Sequence, residues 1–236
     1  MKKIKLTDND NVFIRDGGEV IGCGSVNQDG FLYLIDKDEM TAIRLPEKYK
    51  DTPIYLYYPC GGYNEGLIMV SLLGEIDLKY YHQYSGTAGI WGWINIDGDE
   101  VVPPQYIFVM TFCDGKAIVC KGDWTVYEQD QYWCDNEQWG IIDKTGKAIV
   151  PCKYDEVSYI VDTERFALCH KNGWRNGNYV IYDIEQSAEI IEVNFKYDTG
   201  YMFNDCVYDN GCIYFDMHEP GGEKDIIYVY SLLEGK

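Results

Sequence analysis

The stretch WGIIDKTGKAIVPCKYDEV, residues 139–157, contains the pattern that decides the fold. Two apolar, β-prone runs, WGIID and KAIVP, flank a short polar segment that ends in Gly146, which is typical of a β-hairpin. Pro151 closes the second run, where a missing backbone donor is least costly. The stretch also contains Lys144-Thr145-Gly146, a triplet that occurs in the active sites of serine β-lactamases. It is therefore either a turn or a piece of catalytic machinery.

An earlier segment, WGWINIDGDEVVPPQY at residues 91–106, repeats this pattern. The segments that follow also match, FCDGKAIVCKGDW at 112–124 and ERFALCHKNGW at 164–174. Two fainter copies cover residues 32–70 and 179–210. Aligned without gaps, the two strong copies share Trp91/Trp139, Gly92/Gly140, Ile94/Ile142, Gly98/Gly146, Val102/Val150, Pro103/Pro151 and Tyr106/Tyr154.

These residues resemble the repeat unit of the WG-repeat family of mostly bacterial proteins. The resemblance implies an all-β repeat architecture that acts as an interaction scaffold. We expect a single β-repeat domain over residues 1–236, built from tandem β-meanders, because one small sheet cannot bury its edges and face alone. The units lie near 32–70, 91–124, 139–174 and 179–210. The termini, 1–30 and 211–236, either pair, closing a propeller-like ring of five units with one split, or cap an open β-solenoid.

The repeats provide an internal control for the Lys-Thr-Gly triplet. In the aligned copy, Ile96-Asp97-Gly98 replaces it, so only the glycine of the turn persists. An enzyme of the β-lactamase class also needs Ser-x-x-Lys, and no serine in the chain has a lysine three residues later. We therefore expect a protein without catalytic residues, although a pair of distant carboxylates acting on a sugar stays open at this stage.

Cofactor and metal sites find no support in the sequence. The three histidines, His82, His170 and His218, are not spaced as metal ligands, and His170 continues an apolar strand. The nine cysteines are scattered without a Cys-x-x-Cys pair, which favours small buried side chains in a reducing compartment. The N-terminal apolar run is too short for a secretion signal. We expect a cytoplasmic protein with no cofactor and no metal.

The charge balance restricts the partners. With 39 acidic and 20 basic residues the formal net charge is −19, which repels nucleic acid and anionic membranes. The same charge attracts a basic protein, and it also keeps a protein soluble. The sequence gives no indication of the oligomeric state.

The largest departure from the repeat is TVYEQDQYWCDNEQ, residues 125–138. Insertions in repeat scaffolds usually form loops on one face and carry function, so we expect a loop here. Aromatic side chains among acids suit an interface with a basic protein, for example in a bacterial immunity protein that neutralises a cationic toxin. The aromatics could instead cover a sheet edge, or Tyr132 and Trp133 could stack on a carbohydrate. The predicted partner-binding residues are Tyr127, Glu128, Asp130, Tyr132, Trp133, Asp135 and Glu137.

Overall fold

A computed structural model describes residues 3–17, 21–29, 31, 33–49, 63–72, 89–127, 131–160, 162–171, 178–194, 202–218 and 225–232. In these ranges the regular structure is antiparallel β-sheet, apart from one 3-10 turn at Glu47–Tyr49, so the all-β prediction is confirmed. No helix among them is long and apolar enough to cross a bilayer.

Twenty strands in the described ranges form five small sheets. The first sheet contains β1 (Lys3–Lys5), β2 (Val12–Gly17), β3 (Ile21–Val26), β4 (Tyr33–Asp36) and β5 (Thr41–Arg44) in the order β1-β5-β4-β3-β2. The other four sheets follow chain order. The second contains β6 (Tyr63–Asn64), β7 (Leu67–Leu72), β8 (Ile90–Asn95) and β9 (Glu100–Tyr106); the third contains β10 (Phe108–Val109), β11 (Lys116–Tyr127), β12 (Gln131–Asp143) and β13 (Ala148–Tyr154). The fourth contains β14 (Glu156–Tyr159), β15 (Phe166–Lys171), β16 (Asn178–Asp183) and β17 (Ala188–Asn194); the fifth contains β18 (Met202–Asp209), β19 (Cys212–His218) and β20 (Asp225–Ser231).

The chain divides into two compact units. The first contains residues 1–137 and 141–148, and the second contains residues 138–140 and 149–236, so the boundary passes through β12 and β13. In the first unit, Leu34, Tyr49, Ile68 and Ile94 belong to one buried cluster that joins the first and second sheets. In the second unit, a buried cluster joins the fourth and fifth sheets through Ile160, Phe166, Leu168, Tyr179, Ile181, Val193, Cys206, Ile213 and Phe215.

The sheets are out of phase with the sequence repeat. In the second sheet, β7 comes from the fainter first copy and pairs with β8, the Trp-Gly strand of the next copy. The second, third and fourth sheets each combine the last strand of one repeat with the first hairpin of the following one. The two terminal hairpins, which the sequence allowed to pair with each other, pair in the described residues within the first and fifth sheets.

The Trp-Gly glycines are required by close backbone approach. A Cβ on Gly140 would lie 2.6 Å from the carbonyl oxygen of Val150 and 2.8 Å from the amide nitrogen of Cys152. At the turns, Gly98 and Gly146 have φ angles of 88° and 82°, a conformation that favours glycine. The shared glycines thus serve the hairpin itself.

The described residues of 125–138 do not form the loop that the repeat comparison predicted. Residues 125–127 belong to β11 and residues 131–138 belong to β12, the two longest strands, with 12 and 13 residues. The physical reason is that Thr125, Val126, Tyr132 and Trp133 are β-branched or aromatic, types that favour strands. The insertion lengthens a hairpin instead of adding a loop.

Candidate functional site

The lengthened hairpin forms a two-stranded ribbon, defined here as residues 121–127 of β11 and 131–137 of β12. On one side, β10 pairs only with Val119 and Cys120 of β11. On the other side lies β13, which has seven residues and ends at Tyr154. In the equivalent hairpin of the first copy, Trp91 lies opposite Tyr106, so Tyr154 lies opposite Trp139 and β13 ends there. Within the described strands, the ribbon therefore extends past both neighbours of its own sheet.

The base of the ribbon is held by specific contacts. A Cβ on Gly122 would lie 2.8 Å from the carbonyl oxygen of Asp135, so the two strands approach closely only because this residue is glycine. Asn136 has a φ angle of 56°, a conformation that accompanies β-bulges, and its Nδ2 donates to Oδ2 of Asp123 at 2.9 Å. The indole Nε1 of Trp124 donates to the carbonyl oxygen of Gly89 at 3.0 Å.

The ribbon is strongly acidic. Its two strands contain the carboxylates of Asp123, Asp135 and Glu137 against one base, Lys121, and the sequence between the strands adds Glu128 and Asp130. Burial, together with the charges of Glu137 and Asp135, raises the pKa of the Cys134 thiol to about 11. This thiol therefore stays neutral at physiological pH and is a poor nucleophile.

The structure places the predicted residues unevenly. Asp135 and Glu137 lie at the base of the ribbon, Asp135 half-buried and Glu137 exposed. Tyr127, Tyr132 and Trp133 lie in strands, and their side chains are outside the described part of the structure; Glu128 and Asp130 are outside it entirely. Their role in binding, whether to a protein or to a carbohydrate, stays a prediction.

Sequence reasoning missed Asp123 and Asn136. Both contribute polar groups at the base of the ribbon, because Asn136 bonds to Asp123 across the two strands. Asp123 precedes the matched Trp124, so it fell outside the insertion. Gly122 was the available signal: an isolated glycine inside a strand pattern often marks a bulge or a close backbone approach.

The Lys-Thr-Gly triplet is a turn. Oδ1 of Asp143 accepts hydrogen bonds from the Thr145 amide at 2.8 Å and from the Thr145 hydroxyl at 2.6 Å. Lys144 Nζ forms an ion pair with Glu65 at 2.8 Å, and it lowers the pKa of that carboxyl. The Gly115 amide also donates to Glu65, at 3.0 Å. The lysine therefore connects three turns of the first unit.

His170 is placed as a core residue, as the sequence indicated. It is 3% exposed and stacks on Tyr179, with ring centroids 4.5 Å apart and an interplanar angle of 13°. Burial lowers its pKa. Across the described part of the chain, no three His, Cys, Asp or Glu side chains cluster in a way that could hold a metal ion.

Comparison with known proteins identifies the repeat. A family model described as WG containing repeat matches residues 91–123 and 139–173. The chain carries two WG repeats. The ribbon begins within the last three residues of the first match and ends at residue 137, just before the second WG repeat begins at Trp139.

Among solved structures, the chain is similar to the dihydro-heme d1 dehydrogenase NirN in complex with DHE. The identity is 15% and the TM-score 0.38, over 81% of this chain and 39% of that chain. This chain therefore spans less than half of that protein. The comparison with curated proteins found no match.

Proposed function

We propose that the protein is a non-enzymatic, protein-binding β-repeat scaffold that engages a basic protein through the ribbon. The observation that carries the proposal is the ribbon itself, which has Asp123, Asp135 and Glu137 against one lysine on two strands that extend past their described neighbours in the sheet, with Glu128 and Asp130 between the two strands in the sequence. Among the described strands none pairs with the ribbon beyond those neighbours, so its edges offer backbone groups, and the carboxylates attract and orient a cationic surface.

The net charge of −19 supports the same proposal, because long-range attraction accelerates encounter with a basic partner. A role that fits is that of a cytoplasmic bacterial immunity protein that binds and neutralises a cationic toxin. We further propose that the sheets close into a propeller-like ring of five units, supported by the five small sheets in succession along the chain. Small-angle scattering distinguishes such a ring from an elongated solenoid.

The test of the binding proposal is a charge reversal at the base of the ribbon. Wild-type protein and the Asp135→Lys/Glu137→Lys variant are used to capture partners from a lysate of the native host, followed by identification of the retained proteins. The captured basic protein is then purified, and its affinity is measured by titration calorimetry. We expect the variant to bind about tenfold more weakly or worse, since like charges would then face each other.

The matched control is Asp8→Lys/Asp38→Lys, which changes the net charge equally at two exposed positions beside strands of the first sheet. This control separates the ribbon from the bulk charge, because a non-specific attraction would weaken equally in both variants. Capture of no basic protein, or equal affinity in the two variants, would refute the proposal. Unchanged circular dichroism and melting temperature show that each variant is folded.

A further inference from the structure

Among the strands whose side chains the structure describes, β20 has the most exposed large apolar residues. Ile227, Tyr228 and Val229 are 61%, 42% and 54% exposed, although they are consecutive. Successive side chains of a strand point to opposite faces, so both faces are accessible at β20. Its position in the order β18-β19-β20 places it at the edge of the fifth sheet.

Apart from Asp225 at its start, β20 lacks the charges that usually protect such an edge. From Ile226 to Ser231 it reads IIYVYS, with no charged residue. Other edge strands carry charge, for example Lys3 and Lys5 in β1 or Glu189 in β17. A long, uncharged and apolar edge strand is a template for pairing with another chain.

On the outward face, the neighbours of the strand are apolar beside Val229 and acidic beside Ile227, which lies opposite Asp216. In the register of the fifth sheet, Val229 lies opposite Tyr214, which in turn lies opposite Val207. The opposite face belongs to the core, where Tyr230 packs edge-on against Phe215 with centroids 5.5 Å apart. Val229 and Ile227 therefore belong to the outward face, which the protein's own core does not use.

We propose that two copies of this chain pair through β20, antiparallel about a two-fold axis at Tyr228, to form a continuous six-stranded sheet. The sequence is self-complementary in this register. Ile227 lies opposite Val229 of the second copy, and Ile226 lies opposite Tyr230. Asp225 lies opposite Ser231 instead of opposite a second carboxylate. Apolar cross-strand pairs of this kind stabilise sheets, and a two-fold interface uses each pair twice.

The self-complementary register is what commits the proposal to a second copy as the occupant. The net charge of −19 on each copy opposes association over most of the surface, and the uncharged run of residues 226–231 is where two copies meet at the lowest electrostatic cost. A basic partner, by contrast, gains no ion pair from IIYVYS. The proposal does not depend on the function of the ribbon, which lies in the other unit.

The test is sedimentation equilibrium of the full chain over a concentration series. We expect a monomer–dimer equilibrium. In Ile227→Lys/Val229→Lys, lysines oppose each other twice, so the dissociation constant should rise at least about tenfold. In Ile227→Lys/Val229→Glu, each lysine opposes a glutamate, and dimerisation should return. Met40→Lys/Ile96→Lys, at two exposed apolar positions elsewhere, should retain the dimer apart from the effect of net charge.

Three results would each overturn the proposal. The first is a monomer at about 100 μM, which excludes any association stronger than ~5.5 kcal/mol. The second is a dimer that persists in the double-lysine variant. The third is dissociation of the lysine–glutamate variant as well, which contradicts the register. Melting temperatures of all three variants report whether they are folded, and exposed positions tolerate such changes.

Discussion

Glu189 joins two sheets of the second unit, and its replacement by glutamine has a calculable cost. Its Oε1 accepts from Lys153 Nζ at 2.8 Å and from the Tyr154 hydroxyl at 2.7 Å, while Oε2 accepts from Lys171 Nζ at 2.7 Å. Lys153 and Tyr154 end β13 of the third sheet, whereas Glu189 lies in β17 of the fourth. Glu189→Gln retains the shape and removes the charge.

The magnitude follows from the pKa of the carboxyl. Hydrogen bonds from Lys153 and then Lys171 lower the pKa of Glu189 from its ordinary value of 4.5 to about 2, against an opposing effect of burial. That difference corresponds to at most about 3 kcal/mol. Because the side chain of Glu189 is 30% exposed, solvent screening reduces this, and we expect a loss of about 1–2 kcal/mol in the free energy of unfolding.

The sign of the pH dependence is fixed by the same shift. A carboxyl whose pKa is lower in the folded state contributes its full stabilisation above the pKa of the unfolded state. That contribution declines as the pH falls from about 4.5 towards 2, where the folded carboxyl also takes up a proton. The difference between wild type and Glu189→Gln should therefore be largest at neutral pH and narrow at pH 3.

Urea unfolding followed by tryptophan fluorescence at pH 7, 5 and 3 measures this difference. Glu192→Gln is the matched control, since Glu192 is exposed and lies in the same strand. We expect the control to change stability by less than about 0.5 kcal/mol at every pH. Equal unfolding midpoints for the two variants at pH 7, or a Glu189→Gln deficit that is as large at pH 3 as at pH 7, would show that the charged carboxyl does not stabilise the fold through these contacts.

Two further substitutions test the repeat. Asp143→Ala removes the acceptor of both Thr145 hydrogen bonds and should lower the free energy of unfolding in urea by about 1–2 kcal/mol. Thr145→Val retains the amide hydrogen bond and should lower it less. Equal losses in the two variants would contradict the role of Asp143 as acceptor for the turn. Gln105 in the second sheet and Ala148 in the third occupy the positions that Lys153 and Glu189 hold in the third and fourth sheets. Gln105→Lys and Ala148→Glu should therefore each change stability little, and together they should stabilise the fold by about 0.5 kcal/mol more than the sum of the two in a double-mutant cycle. Additive effects would refute the equivalence.

The sequence was sufficient to predict the hairpin unit, because the residues that form it are close together in the chain. Gly98 and Gly146 were predicted as turn residues from two aligned copies, and both have positive φ angles. Asn95 and Asp143 precede the two turns, and their function as acceptors for the amides of the turn was not visible in the sequence. A repeat that is present twice in one chain separates backbone requirements from substitutable side chains.

The contacts between sheets could not be predicted, because they join residues far apart in the chain. Glu189 and Lys153 are separated by 36 positions, and Lys48 and Glu100, which make a similar ion pair, by 52. The ribbon was predicted as a loop for a different reason. Comparison between the repeats located the extra residues, yet it contained no information on their conformation, which strand propensity determines.

The two proposed contacts differ in the sign of the charge interaction between the partners, so one experiment can distinguish them. Binding of a basic protein to the ribbon is an attraction between opposite charges, so added salt should weaken it. Pairing of two copies through β20 brings together two chains of net charge −19, so salt should strengthen it by screening their repulsion. A salt titration that weakened both associations, or strengthened both, would mean that one of the surfaces has been assigned the wrong partner.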